Sequence, residues 1–266
     1  YKMNKKLFKL SLLFVATIAT QSVWAWGGFG HSAIAYAAEQ LVEPEVRQKC
    51  RQYLGTTITY QASWMDAYRS IKPYTPCDEW HSTNIDAKGK VMKGLTTTGA
   101  FHIVRICNEM KDGKYKQMSD SLVKINLQYL IHMIGDHHCP VHVRWNKESH
   151  PQYFYSLKKK GKKQGYHGFW DGSPGAWRKG WTADRYYAQM NKLSPKQAKK
   201  VQKGDGYTWT QETANVARKC FNLTPVGTDV AKLSKEERTA IHNVVDRQVM
   251  LAAYRLAGVL NEIFKE

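Results

Sequence analysis

Acidic residues are scarce. Twenty-two Asp and Glu face 40 Lys and Arg, for a formal charge of +18. That balance favours anionic partners: nucleic acid, acidic lipid surfaces or polyanions. Long apolar runs are also missing. No stretch reaches the ~18 residues that span a bilayer, which speaks against a membrane-spanning segment. Cysteine is limited to five, with no CxxC pair, so a thiolate zinc site is disfavoured. The odd count leaves at least one thiol unpaired within the chain. Strand-like alternation is rare, and neither a repeat nor a domain-separating linker is visible. Sheet sandwiches and repeat arrays are therefore poor descriptions.

The first 25 residues have the parts of a secretory signal. Lys5, Lys6 and Lys9 give a basic start, Leu10 to Ala19 a short apolar core, and Val23-Trp24-Ala25 a small-residue exit. The expectation is an exported protein, secreted or periplasmic, with no stable membrane association once the signal is removed. Export permits one or two disulfides among Cys50, Cys77, Cys107, Cys139 and Cys220. Cleavage after Ala25 removes four lysines and no acid, leaving +14. The chain then starts Trp26-Gly27-Gly28-Phe29-Gly30-His31. A free α-amine there is a potential metal ligand, and His31 is near enough to fold back onto the same ion.

The remainder reads as helices joined by irregular loops. Residues 31–41 carry Ile34, Ala37, Ala38 and Leu41 at helical spacing. Pro44 suits the first turn of a helix running to about Leu54. A short helix fits 60–69, and another fits Gly99 to Met110. Ser119 caps a long helix from Asp120 to about His138, apolar around much of its circumference through Leu122, Ile125, Leu127, Leu130 and Met133. Residues 145–165 read as loop and contain the basic run Lys158-Lys159-Lys160-Gly161-Lys162-Lys163, a solvated turn or a substrate contact. Lys179 to Val201 and Tyr207 to Cys220 read as helical. Ser234 caps a last helix. The expected class is all-α, one helical-bundle domain over 26–266.

Polar residues interrupt this pattern in a telling way. His132 and Asp136 stand four apart on the apolar helix, so both project from one face. Imidazole and carboxylate at that spacing can share a zinc ion. His142 follows beyond Pro140. His167 and Asp171 repeat the spacing. Ten histidines and eleven aspartates give roughly 0.4 such pairs by chance. A buried, unpaired Asp136 would cost several kcal/mol. Ser63-Trp64-Met65-Asp66-Ala67-Tyr68-Arg69 adds a carboxylate and a guanidinium three apart, and Trp80-His81 adds a histidine in an aromatic setting.

Taken in order, these segments resemble the zinc-dependent single-strand nucleases of the S1/P1 type, across nearly the whole of the chain from Trp26. A fainter echo continues in Trp209-Thr210-Gln211-Glu212 and Tyr254-Arg255-Leu256-Ala257. The resemblance implies an all-α fold shared with zinc phospholipases C and three zinc ions in one cleft. It implies Asp66, His81, His132 and Asp136 on the first ion and His142, His167 and Asp171 on the second. Trp26, through amine and carbonyl, would hold the third with His31 and a bridging Asp136. It implies Arg69 and Asp66 as catalytic residues. The implied substrates are single-stranded DNA and RNA, cut to 5′-phosphate products, and 3′-nucleotides; the implied state is a monomer. Paired metals suit this chemistry because they can hold both the attacking and the leaving oxygen of a phosphodiester.

The match departs from its fungal members at several points. Phenylalanine and aspartate there are Ser82 and Asn84 here, with Asn84 at the substrate-contact position. Cys139 replaces a glutamine, and the lysine run precedes His167. Two rivals share some of the pattern: a zinc phospholipase C-type phosphodiesterase and a non-catalytic polyanion-binding protein. The His138-Cys139-Pro140-Val141-His142 segment and the Asp66–Arg69 segment favour the nuclease.

Overall fold

The computed structural model describes residues 26–265; the expected signal at 1–25 lies outside the described residues. The elements in chain order are α1 (Gly27–Leu41), α2 (Pro44–Leu54), α3 (Trp64–Tyr68), β1 (Thr83–Asn84), α4 (Gly99–Met110), α5 (Asp120–Asp136), β2 (Val143–Arg144), β3 (Ser156–Lys159), β4 (Lys162–Gly165), α6 (Tyr166–Asp171), α7 (Ala183–Gln189), α8 (Pro195–Val201), α9 (Gly206–Leu223) and α10 (Lys235–Phe264). The architecture is all-α. Its strands form only two small ladders, β1 parallel to β2 and β3 antiparallel to β4. No described helix is long and apolar enough to cross a membrane.

Helix α5 is the axis of the fold. Ser119 Oγ accepts the Leu122 backbone N–H at 3.3 Å, so the helix starts where the sequence marks it. From Asn126 to Asp136 every residue is buried. Helices α1, α2, α3, α4 and α10 all pack against it. Truncating Leu127 or Leu130, both fully buried, would cost about 2–5 kcal/mol. Leu122 departs from the expected apolar surround, since it sits in the first turn before the neighbours close in and is 45% exposed.

Three expected segments are organised differently. The 60–69 helix is split into a 3₁₀ turn, Thr59–Gln61, and α3. The break frees the Ala62 carbonyl to accept from His132 Nδ1 at 2.8 Å. The stretch from Lys179 to Val201 divides into α7 and α8. Ser194 forms a capping box with Gln197, and Pro195 occupies the first turn, so a new helix begins there. Within 145–165, β3 and β4 make a hairpin. Its turn residues Lys160 and Gly161 both have positive φ, 52° and 75°. The Asp229 carboxylate secures the turn by accepting both of their N–H groups at 2.9 Å. All five cysteines are free thiols, so the disulfides that export would permit are not formed among the described residues.

Candidate metal centre

Six segments carry the expected ligands to one place. His31 comes from α1 and Asp66 from α3. His81 ends the 3₁₀ turn Thr75–His81. His132 and Asp136 come from α5, His142 from the turn after it, and His167 and Asp171 from α6. Trp26 enters through an unusual backbone. Its φ of 47° is left-handed, its indole is fully buried, and indole Nε1 donates to the Gly135 carbonyl at 2.8 Å. That bond holds the Trp26 backbone nitrogen 3.1 Å from Asp171 Oδ1.

Asp136 is the hub. His31 Nε2 lies 3.1 Å from its Oδ1, and His142 Nδ1 lies 3.8 Å from the same oxygen. His81 Nδ1 and His132 Nε2 lie 2.9 and 3.4 Å from Oδ2. Asp66 stands behind, 3.6 Å from His132 and 3.8 Å from His81. Asp171 is a second hub, 3.4 Å from His142 Nε2 and 3.2 Å from His167 Nε2. Two ligands bound at about 2.1 Å to one tetrahedral zinc lie roughly 3.4 Å from each other. Most of these separations therefore suit atoms flanking an ion better than atoms bonded to each other.

Hydrogen-bond bookkeeping points the same way. Buried atoms without a hydrogen-bond partner include both nitrogens of His31, both oxygens of Asp66, His81 Nε2, Asp136 Oδ1, His142 Nε2 and Asp171 Oδ2. Each orphan would cost about 1–3 kcal/mol, and most of them lie around Asp136 and Asp171. Two of the rings are anchored by their opposite nitrogen. His132 Nδ1 donates to Ala62 O, and His142 Nδ1 donates to His81 O at 2.5 Å. Such backing leaves Nε2 with its lone pair facing inward, the tautomer a metal needs. Residues His31, Asp66 and His132 form one triad able to hold a metal; His81, His132 and Asp136 form a second; Cys139, His142 and Asp171 form a third.

The electrostatics divide the titratable groups. Burial opposes ionisation of Asp136, yet His132, His142 and His81 outweigh it and hold the carboxyl well below its usual range. Burial likewise opposes the charge of Asp171, and its bonds to His142 and His167 hold it down to about 2. Asp66 is pushed upward, chiefly by burial. Burial drives His132 well below its ordinary value, which keeps the ring neutral. The site is thus anionic at Asp136 and Asp171, as a cation requires.

Backbone space is also shaped for the site. The His31 ring lies flat on α5, stacked on His132 at 3.9 Å and 12°. A Cβ on Gly135 would stand 2.9 Å from His31 Nδ1, so glycine is what lets that ring approach. Arg69 sits at the rim, with Nη1 4.0 Å from Asp66 and 3.5 Å from Asp78. It lines a cavity of about 410 Å³ with His81, His142, His167, Arg144 and Phe154. Asn84 is placed on β1, paired with Arg144, outside that lining.

Sequence reasoning passed over Cys139 as a site residue. Its thiol donates to Asp171 Oδ1 at 3.2 Å, and burial together with Asp171 keeps it protonated. It also passed over the support under the end of α5. Arg255 Nη1 bonds His138 Nε2 at 2.8 Å and its Nη2 bonds Glu212. Gln248 donates to the His138 carbonyl, and Thr213 to that of His137. Glu212 and Arg255 lie in the two weakly echoed segments, which was the available signal.

Comparison with known proteins places the site in context. The family model described as S1/P1 nuclease matches residues 26–265. The chain is similar to nuclease S1 of Aspergillus oryzae, 27% identical over 150 residues, half of each chain. It is also similar to nuclease P1 of Penicillium citrinum, 27% identical over 130 residues, 44% of this chain and 47% of that one. The chain spans about half the length of the curated relatives it matches.

Proposed function

We propose, from the premise that this chain belongs to the S1/P1 nuclease family, that it is an exported zinc-dependent nuclease with 3′-nucleotidase activity. Its substrates are single-stranded DNA and RNA, cut to 5′-phosphate products, and 3′-nucleotides. The working form is a monomer of one nuclease domain, residues 26–266, after loss of 1–25. The observation that carries this reading is the convergence of buried, unpartnered His and Asp atoms around Asp136 and Asp171.

Three zinc ions fit the donor set. We assign Asp66, His81, His132 and Asp136 to the first and His142, His167 and Asp171 to the second. The third falls to Trp26 and His31, with Asp136 bridging. Bound zinc supplies positive charge to phosphate oxygens and acidifies a coordinated water. The protein does the rest. Arg69, only loosely held by Asp66 and Asp78, turns to the phosphate and offsets charge on its equatorial oxygens. Asp66, whose buried carboxylate oxygens accept no hydrogen bond, orients the attacking water and takes its proton. His142 is fixed to the His81 carbonyl and His81 to Asp136, so their rings do not reorganise as charge develops.

The test is digestion of single-stranded DNA, RNA and a 3′-nucleotide by protein beginning at Trp26 with measured zinc content. Phosphatidylcholine serves as a parallel substrate. Cleavage of nucleic acid to 5′-phosphate ends is expected. Lipid cleavage without nucleic-acid cleavage would overturn the assignment, as would fewer than two zinc ions per chain with binding but no cleavage. One residue added before Trp26 turns its amine into an amide. The third ion should then be lost, and unchanged zinc content would refute the terminal ligand.

A further inference from the structure

Helix α3 has two functional-looking sides. At about 100° per residue, Asp66 and Arg69 fall on the side facing the metal centre, whereas Trp64 and Tyr68 fall opposite. That far side opens into a groove between α3, the Thr59–Gln61 turn and α5, with a volume of about 720 Å³. Trp64 stacks on Tyr68 at 4.7 Å and 16°, and Tyr74 braces both edge-on. Tyr68 remains 39% exposed, and Tyr60 across the groove is 78% exposed. Packing accounts for Trp64 and Tyr74. It does not account for two tyrosine rings left open to water on either side of a cavity.

The polar lining is selective. Lys124 is exposed at the groove and forms no ion pair among the described residues, and no carboxylate lines the cavity. Gln61 and Gln128, both buried, close its inner end by bonding to each other at 2.9 Å. Open aromatic faces beside a free cation are what a single nucleic-acid strand uses: bases stack and phosphates meet the cation. A double helix keeps its bases stacked inside and offers nothing to those rings.

We propose that this groove is a second subsite, which binds nucleobases of the strand flanking the phosphate held at the metal centre. The proposal rests on the nuclease reading given above. The strand crosses at the C-terminal end of α3, where Tyr68, which lines the groove, is followed directly by Arg69, which lines the cavity at the metal centre. The groove then contributes affinity for longer strands and none for a mononucleotide.

The test uses zinc-loaded protein with Tyr60→Ala, Tyr68→Ala and Lys124→Gln, all exposed positions. Binding of cleavage-resistant phosphorothioate oligothymidylates, six and two nucleotides long, is followed by fluorescence anisotropy, alongside KM and kcat on ordinary strands. Each tyrosine variant should bind the hexamer at least about fivefold more weakly, with dimer binding and kcat unchanged. Lys124→Gln should flatten the salt dependence of hexamer binding by about 0.7 in log–log slope. Equal loss for dimer and hexamer, or no loss for either, would overturn the subsite while parent cleavage leaves the nuclease reading intact. A parent that cleaves no nucleic acid would overturn both.

Discussion

Gly135→Ala isolates the geometry of the candidate metal centre without replacing any of its proposed ligands. The new methyl would stand 2.9 Å from His31 Nδ1, 3.1 Å from Cε1 and 3.5 Å from Ile34 Cδ1. Comfortable contact begins at about 3.5 Å, so the imidazole must withdraw by about 0.5 Å. Its stack on His132 at 3.9 Å limits where it can go. Metal sites tolerate ligand displacements of only about 0.2 Å, and comparable disturbances around ligands weaken metal binding about 10- to 100-fold. Folding stability moves much less. Alanine in a helix interior gains about 1 kcal/mol over glycine, against about 1–3 kcal/mol for overpacking. The expected net effect on the metal-free protein is thus a loss of about 0–2 kcal/mol. Gly168→Ala is the control, since its methyl meets nothing nearer than 3.8 Å. Zinc content by atomic emission, competition titration against a chelator and a thermal melt separate the effects. Weakened zinc binding in Gly135→Ala alone is expected. If both variants hold zinc as tightly as the parent, the steric argument for His31 is refuted.

Other outcomes follow from the same structure. A chelator should abolish phosphodiester cleavage, and added zinc should restore it; activity that survives exhaustive chelation would exclude the metal centre as the site of reaction. Arg255→Met strands the buried His138 Nε2, while Glu212 is half exposed and turns to water. It should cost about 1–3 kcal/mol in urea melts, with Arg255→Lys recovering part of the loss. His102, stacked on Trp80 at 3.6 Å, is lowered to about 4 by burial and then by Arg105. Between about pH 4 and the ordinary histidine value the unfolded chain binds more protons, so stability rises with pH and is lost on acidification. His102→Gln should show a shallower fall over that window, and parallel curves for the two proteins would count against the assignment.

The helices and the gathering of His and Asp side chains were legible because each has a local signature. Ser119, Pro44 and Ser234 mark helix starts by cap chemistry, and the four-residue spacing of His132–Asp136 and His167–Asp171 survives in the fold. The family was legible for the same reason. Elsewhere the deciding partner is remote. The β3–β4 turn depends on Asp229, 69 residues from Lys160. The seat of His138 depends on Arg255, 117 residues on. The split of 60–69 is set by a carbonyl that serves His132, 70 residues away. The division between α7 and α8 was written locally, in Ser194-Pro195, and was overlooked because helical spacing runs through it.

The five free thiols change what kind of fastening this protein relies on. Trp26 and Asp171 meet across 145 residues of chain, and closing so long a loop costs on the order of 4 kcal/mol in chain entropy. In many exported proteins a covalent sulfur bridge bears that cost. On the proposed reading, the closure falls instead to imidazoles and carboxylates gathered about a zinc ion. Such a clasp is indifferent to reductants, comes undone in acid or in the presence of a competing chelator, and can be remade without an oxidant. Durability outside the cell would then follow the local supply of metal rather than the local redox state.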